Sequence, residues 1–106
     1  MDTKYNEIFK LKELLEEAKI PHEFVNWLEK GWTTWEKYQI VYPTFHPDVR
    51  ICSCIIGPHT YGGENGLLEI MGLLTDEELE HNSVVGHLTA EDVFNRIKKH
   101  HDGRFE

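Results

Sequence analysis

Two histidines and two cysteines in the middle of the chain could bind a metal ion. His46, Cys52, Cys54 and His59 fall within fourteen residues, and zinc takes thiolate and imidazole ligands in a tetrahedron. Structural zinc sites usually place two or more residues between paired cysteines, and here there is one. Free cysteines often serve as small apolar core residues. We therefore expect buried cysteines and ordinary loop histidines, with the four-residue metal site as the alternative.

The same region could support covalent catalysis. Either cysteine could form a dyad with His46 or His59, oriented by Asp48 or Glu64. A reactive thiolate needs a partly exposed, electropositive setting. Isoleucines flank the two cysteines, so this stretch is typical of a buried strand.

Acidic residues offer a hydrolytic alternative. Asp48 with Glu64 or Glu69 could hold a divalent cation, as clustered carboxylates do in metal-dependent nucleases. Such sites usually add a lysine soon after the second acid, but no lysine occurs between Lys37 and Lys98. The carboxylate of Glu69 is expected to point to solvent from a half-exposed strand.

A glycine-rich stretch, Gly57–Gly66, suggests a phosphate-binding loop. That mechanism needs a helix N-terminus directly after the loop, and the residues that follow favour a strand instead. The stretch is nevertheless longer than a tight hairpin needs, and long loops are often functional. His59, Tyr61 and Glu64 are its candidates for contact with a partner.

The aromatic residues are the strongest candidates for a functional surface. Trp27, Trp32, Trp35 and Tyr38 fall within twelve residues, and exposed Trp and Tyr side chains are typical anchors of protein interfaces. Trp32 follows Gly31 in a predicted turn, which is a poor place to bury a large ring. The four rings could instead cover an open sheet face or close the core, and the sequence leaves both roles open.

The hydrophobic pattern predicts the elements that must position these residues. Apolar residues at helical spacing indicate a first helix, capped by Asp2 or Thr3 and ended near Lys19 by Pro21. Alternating patterns indicate strands over 22–28, 35–43, 49–56 and 67–74. Thr75 with Glu78 forms a capping box, residues 84–88 are extended or irregular, and a last helix begins after Thr89. Because the strands follow one another, we predict an α+β fold in one domain, residues 1–106, with a three- or four-stranded antiparallel meander packed against the N-terminal and C-terminal helices.

Composition limits the possible functions. The net charge is −8, and residues 61–81 hold six carboxylates and no Lys or Arg. A protein that binds nucleic acid directly needs a basic face. We therefore expect no direct binding of nucleic acid. The acids could still imitate nucleic acid, or simply face water. The N-terminus lacks the apolar core of a signal peptide, no segment is apolar enough for a membrane helix, and two closely spaced cysteines favour reduced thiols. These features predict a cytoplasmic protein.

Three segments carry a resemblance to known proteins. Gly66–Leu74, Val84–Ile97 and Tyr38–Pro43, the last after a helix ending in Ile20-Pro21, resemble small proteins encoded by phages and prophages of low-GC Gram-positive bacteria (Firmicutes). The resemblance implies a phage-related context and implies no catalytic or ligand-binding residue. It also favours work by protein–protein contact, by analogy with other small phage accessory proteins.

The sequence therefore predicts a phage- or prophage-type accessory protein that binds another protein, or itself as an oligomer, without catalysis or cofactor. The predicted contact residues are Trp27, Trp32, Trp35, Tyr38, His59, Tyr61 and Glu64. One alternative is a small metal-dependent hydrolase that uses the region of His46, Asp48, Cys52, Cys54 and His59. A second alternative is an acidic inhibitor that imitates nucleic acid.

Overall fold

A computed structural model describes residues 4–103 of the chain. In chain order these residues form α1 (Asn6–Glu17), β1 (Glu23–Asn26), β2 (Tyr38–Tyr42), β3 (Cys52–Ile56), β4 (Leu68–Met71), α2 (Asp76–Leu79), β5 (Val84–Leu88) and α3 (Ala90–His101). A short 3-10 turn, Gly63–Asn65, precedes β4. The strands form one antiparallel sheet in the order β1-β2-β3-β4-β5. The predicted α+β meander is confirmed, but its sheet has five strands rather than three or four.

The additional strand is β5, which the sequence pattern did not reveal. It pairs with β4 through Leu68–Leu88, Ile70–Val85 and Met71–Val84, with an irregularity between the first two pairs. That irregularity is a β-bulge, and His87 within it has a positive φ of 60°. A bulge breaks the two-residue alternation that identifies a strand, so β5 resembled an irregular segment in the sequence.

The core lies between one face of the sheet and the two long helices. Every second residue of β2 and β3 points to this side, and α1 and α3 contribute their apolar stripes. Its most fully buried side chains are Ile8, Leu11, Leu15, Ile40, Cys52, Cys54, Ile56, Leu68, Ile70, Val93 and Ile97. Glu7 on α1 accepts a hydrogen bond from the backbone N–H of Ala90, at 2.8 Å. This contact ties the start of α3 to α1 and supplies a negative charge where the helix dipole favours one.

The ends of the helices follow local rules. α1 begins at Asn6 with Tyr5 at the N-cap, and the predicted caps Asp2 and Thr3 lie outside the described residues. α1 ends in a Schellman motif, in which the N–H of Ile20 bonds to the carbonyl of Leu15 at 3.0 Å. Thr75 and Thr89 both form capping boxes, as predicted for Thr75.

Both long helices cover the same face of the sheet. The opposite face, which we name the open face, carries Val25, Gln39, Val41, Ser53, Ile55, Glu69 and Met71, and residues 4–103 place no helix over it. Thr44 and Phe45 fold back to donate hydrogen bonds to the Glu23 carboxylate, and nearby Val41 is completely buried. Within residues 4–103, no helix is both long and apolar enough to cross a membrane.

Candidate functional site

The meander brings the predicted contact residues to one end of the sheet. In such a fold, alternate connections lie at the same end, so the β1–β2 connection (residues 27–37) lies beside the β3–β4 connection (residues 57–67). We name this region the aromatic end. It contains six of the seven predicted contact residues: Trp27, Trp32, Trp35, His59, Tyr61 and Glu64.

Two edge-to-face ring pairs organise the aromatic end. The rings of Trp35 and His59 pack at 89° with centroids 5.0 Å apart, joining the two connections. The rings of Trp27 and Trp32 pack at 82° and 6.1 Å. Trp32 is nevertheless 76% exposed and Trp35 42% exposed. Both indoles therefore have a fixed neighbour on one side and a free face available to a partner.

Hydrogen bonds hold Tyr61 and its loop in place. The N–H of Tyr61 donates to the Glu69 carboxylate on the open face at 2.8 Å. Its carbonyl accepts from the N–H of His87 in the β5 bulge at 3.2 Å. The Tyr61 side chain remains 57% exposed, and Glu64 is exposed in the 3-10 turn. The sequence pattern does not show that Glu69 anchors the Tyr61 backbone. The second anchor, the N–H of His87, lies in a bulge that the pattern does not indicate either.

A row of polar contacts crosses the open face below the aromatic end. The indole N–H of Trp27 donates to the Gln39 side-chain oxygen at 3.0 Å. The Gln39 amide in turn donates to the Ser53 hydroxyl at 2.8 Å. Because each group orients the next across three strands, Trp27 is held in place rather than freely rotating. No sequence pattern indicates this row, because it depends on the register of the strands.

Tyr38 does not belong to the contact surface, which corrects the prediction. It lies on the helix-covered face of β2 and is 4% exposed. Its ring packs against Phe9 with centroids 5.0 Å apart, and its hydroxyl donates to the Glu36 carboxylate at 2.6 Å. Burial, followed by that hydrogen bond, raises the pKa of Tyr38 to about 12. Tyr38 is a core residue because β2 directs it towards the helices.

The four residues of the alternative metal site do not converge. Cys52 and Cys54 point into the core, as free buried thiols. His46 lies in the β2–β3 connection at one end of β3, whereas His59 follows the other end. Among residues 4–103, no group of three or more His, Cys, Asp or Glu side chains could hold a metal ion. The geometry does not support the alternative of a metal-dependent hydrolase site.

The thiols are also unsuited to nucleophilic catalysis. Burial raises the pKa of Cys52 to about 12 and raises that of Cys54 well above its ordinary value. A thiol at such a pKa is protonated near neutral pH and reacts slowly. Within the described part of the chain, His59 makes no hydrogen bond or ion pair that could orient it as a base. Asp48 and Glu64 lie in connections at opposite ends of the sheet, so these two carboxylates do not form a pair.

The glycine-rich connection is not followed by a helix. Gly66 has a positive φ of 72° and leads into β4, so no long helix presents its N-terminus to a phosphate. Gly63 is needed for packing instead, because a Cβ there would lie 1.8 Å from the Gly57 carbonyl oxygen. The loop is a shaped support for His59, Tyr61 and Glu64.

The carboxylates of residues 61–81 are dispersed rather than arranged in one row. Glu64 lies at the aromatic end, Glu69 binds the Tyr61 backbone, and α2 lies beyond the opposite end of β4. On α2, Glu78 is paired with Arg96 at 2.6 Å. Asp76, Glu77 and Glu80 are the exposed remainder. A protein that imitates nucleic acid needs regularly spaced charges along a surface, and these acids do not provide them.

The aromatic end has the side chains to contact a partner by stacking and apolar packing. Its described residues offer no nucleophile–base pair. No protein-family model matches the chain, and neither a curated protein nor a solved structure matches it.

Proposed function

We propose that the protein is a non-catalytic binding protein that recognises a protein partner through its aromatic end. One observation carries the proposal. Of the seven large hydrophobic side chains that are exposed among residues 4–103, four lie at this end: Leu28, Trp32, Trp35 and Tyr61. The exposed Trp and Tyr rings of residues 4–103 are all in this group. Clustered exposed aromatic residues are typical of the centre of protein interfaces.

The surface is also held in shape before any partner arrives. Trp35 packs on His59. Tyr61 is held through its backbone by Glu69 and His87. Trp32 packs against Trp27, whose indole N–H is held by Gln39. Ordering a side chain on binding costs about 0.5–1.5 kcal/mol. A preformed aromatic end avoids part of that cost when a partner binds.

Capture from a cell extract with matched variants tests the proposal. The wild-type chain is expected to retain a protein in stoichiometric amount. Trp32→Ala and Tyr61→Ala are expected to weaken its binding by at least about tenfold, since interface aromatics often contribute 2 kcal/mol or more.

Leu79→Ala provides the matched control. Leu79 is 55% exposed on α2, outside the aromatic end, so this variant should retain the partner like the wild type. Equal retention by all variants, or loss only with Leu79→Ala, would contradict the proposal. The resemblance to phage-encoded proteins remains a prediction, and it would place the partner among phage or host proteins.

A further inference from the structure

A cavity with aromatic walls lies beside β1, next to the aromatic end. Its volume is about 420 Å³, which is within the range of small-ligand sites, typically about 300–1,000 Å³. Its lining residues are Glu23, Phe24, Val25, Trp27, Lys30, Trp32 and Phe45. Four of the seven are aromatic, and one is a carboxylate. Aromatic rings combined with a carboxylate are suited to a weakly hydrated cation.

The two tryptophan rings of this cavity stand at right angles. The rings of Trp27 and Trp32 pack at 82° with centroids 6.1 Å apart, and the corner between perpendicular rings presents a face of each. Trp27 is fixed because its indole N–H donates to Gln39, and Trp32 is highly exposed. The face of an aromatic ring attracts cations, and that of Trp does so most strongly. This corner is therefore a preformed place for a cation.

The chain's own cations leave the corner free. Within residues 4–103, the lysines that lie over ring faces are Lys12, 5.7 Å from the centre of Phe24, and Lys4, over Tyr5. Lys30 is exposed where it lines the cavity and lies over neither tryptophan. Phe24 thus already has a cation, whereas the two tryptophan faces are available to a ligand.

Glu23 supplies a negative charge to the cavity. Its Oε2 atom accepts hydrogen bonds from the Thr44 hydroxyl and, at 2.8 Å, from the Phe45 N–H. These bonds, with that from Thr44 foremost, lower the pKa of Glu23, so its carboxylate is ionised at neutral pH. Because Phe45 also lines the cavity, the same contacts position one of its aromatic walls.

The hydrogen bonds beside the cavity favour a cation that has no N–H group. The Asn26 carbonyl already accepts from the Lys30 N–H at 3.2 Å, and the Trp27 carbonyl accepts from the Trp32 N–H at 3.1 Å. A primary ammonium brings three N–H donors and a guanidinium five, and a buried donor left unpaired costs free energy. A quaternary ammonium has no such donor, so it loses no hydrogen bond among apolar walls.

From these observations we propose that the cavity binds a quaternary ammonium group, carried by a small trimethylammonium compound or by a trimethylated lysine side chain. The cation occupies the corner of Trp27 and Trp32, and its methyl groups contact the apolar walls. Glu23 adds electrostatic attraction. This inference does not rest on the protein partner proposed for the aromatic end, because purified chain and small ligands are enough to test it.

Titration calorimetry with matched ligands tests the requirement for a positive charge. Choline and its neutral carbon analogue, 3,3-dimethyl-1-butanol, have the same shape and differ in the charge. Choline is expected to bind the wild-type chain at least about tenfold more tightly than the alcohol. Equal affinity for the two ligands would overturn the proposal.

A second pair of ligands tests the methylation and identifies the carrier. The amide of N-acetyl-trimethyl-lysine is expected to bind at least about tenfold more tightly than the amide of N-acetyl-lysine. Tighter binding of this methylated amide than of choline would assign the cavity to a modified protein, and the reverse order would assign it to a small compound. Equal binding of the two lysine amides, or saturable binding of neither trimethylammonium ligand, would overturn the proposal.

Variants locate the site with the tighter of the two trimethylammonium ligands. Trp32→Ala is expected to weaken its binding at least about tenfold. Met71→Ala is the matched control, because Met71 is 55% exposed on β4 and does not line the cavity. Circular dichroism should show both variants folded. Equal affinities of the two variants would contradict the assigned corner.

The two charged lining residues give shifts of opposite sign. Glu23→Gln is expected to weaken binding of the same ligand about twofold or more, and Lys30→Gln to strengthen it by a similar factor, as for exposed charges. Both shifts should shrink at high salt. Shifts of the same sign would contradict the binding of a cation in this cavity.

Discussion

At the scale of single residues, the two cysteines show what the sequence could predict. Their two-residue spacing between isoleucines predicted burial on one face of a strand, and both lie in the core. The sequence could not exclude a metal site, because the distance from the cysteines to His46 and His59 depends on where the connecting loops lie.

The burial of Cys52 and Cys54 predicts their reactivity. Since burial raises the pKa of both thiols, we expect neither to react with a disulfide reagent at mildly alkaline pH in the native protein. Both should react quickly after denaturation in urea. Rapid labelling of either thiol in the folded protein would contradict the described core.

The Glu78–Arg96 pair predicts a pH dependence of stability. Arg96 donates to both carboxylate oxygens of Glu78, at 2.7 and 2.6 Å, and to the carbonyl of Leu73 at 2.9 Å. The hydrogen bonds from Arg96, followed by the one from the Thr75 N–H, lower the pKa of Glu78 from 4.5 to about 2. A lowered pKa stabilises the fold above about pH 4.5, and that contribution is lost as the pH falls through about 2.

We therefore expect Glu78→Gln to lower the free energy of unfolding by about 1 kcal/mol at neutral pH. The difference from the wild type should shrink between about pH 4.5 and 2, as measured by urea unfolding. Glu77→Gln, on an exposed residue of the same helix, should have little effect at any pH. A constant cost of Glu78→Gln down to pH 2 would contradict the ion pair.

Among the elements, α1 predicts that a glycine stabilises the fold at the end of the helix and destabilises it in the helix interior. Lys19 occupies the left-handed position of the Schellman motif, with φ of 58°. A side chain there costs about 1 kcal/mol relative to glycine. Lys19→Gly is therefore expected to raise the free energy of unfolding by about 0.5–1 kcal/mol in thermal or urea unfolding.

Glu13→Gly is the control for that experiment. Glu13 is exposed in the interior of α1, where glycine costs about 1 kcal/mol. Destabilisation by both substitutions would contradict the described end of the helix.

The elements also show why part of the fold escaped prediction. Strong periodicity identified α1, α3 and the first four strands, and Thr75 with Glu78 identified the start of α2. The fifth strand escaped because Gly86 and His87 interrupt its alternation, and its pairing comes from β4 rather than from its own residues. The sequence places Tyr38 among the contact residues, because alternation defines two faces but does not tell which one the helices cover.

At the scale of the whole molecule, topology determines what the candidate residues can do together. The sequence identified Trp32, Trp35, His59 and Tyr61 from their types and their places in turns. Only the meander shows that two connections, separated along the chain by residues 38–56, meet at one end. The same topology separates His46 and Asp48 from His59 and Glu64, so the residues suggested for catalysis lie apart.

We propose that the aromatic end contacts a protein partner, and site-specific photocross-linking at that end can detect the contact. A photoreactive phenylalanine derivative replaces Trp32, Tyr61 or Leu79, one at a time, in cells that contain the partner. We expect one discrete cross-linked protein from positions 32 and 61, both exposed at the aromatic end, and none from position 79. Cross-links from position 79 alone, or from no position at the aromatic end, would show that the aromatic end does not contact the partner.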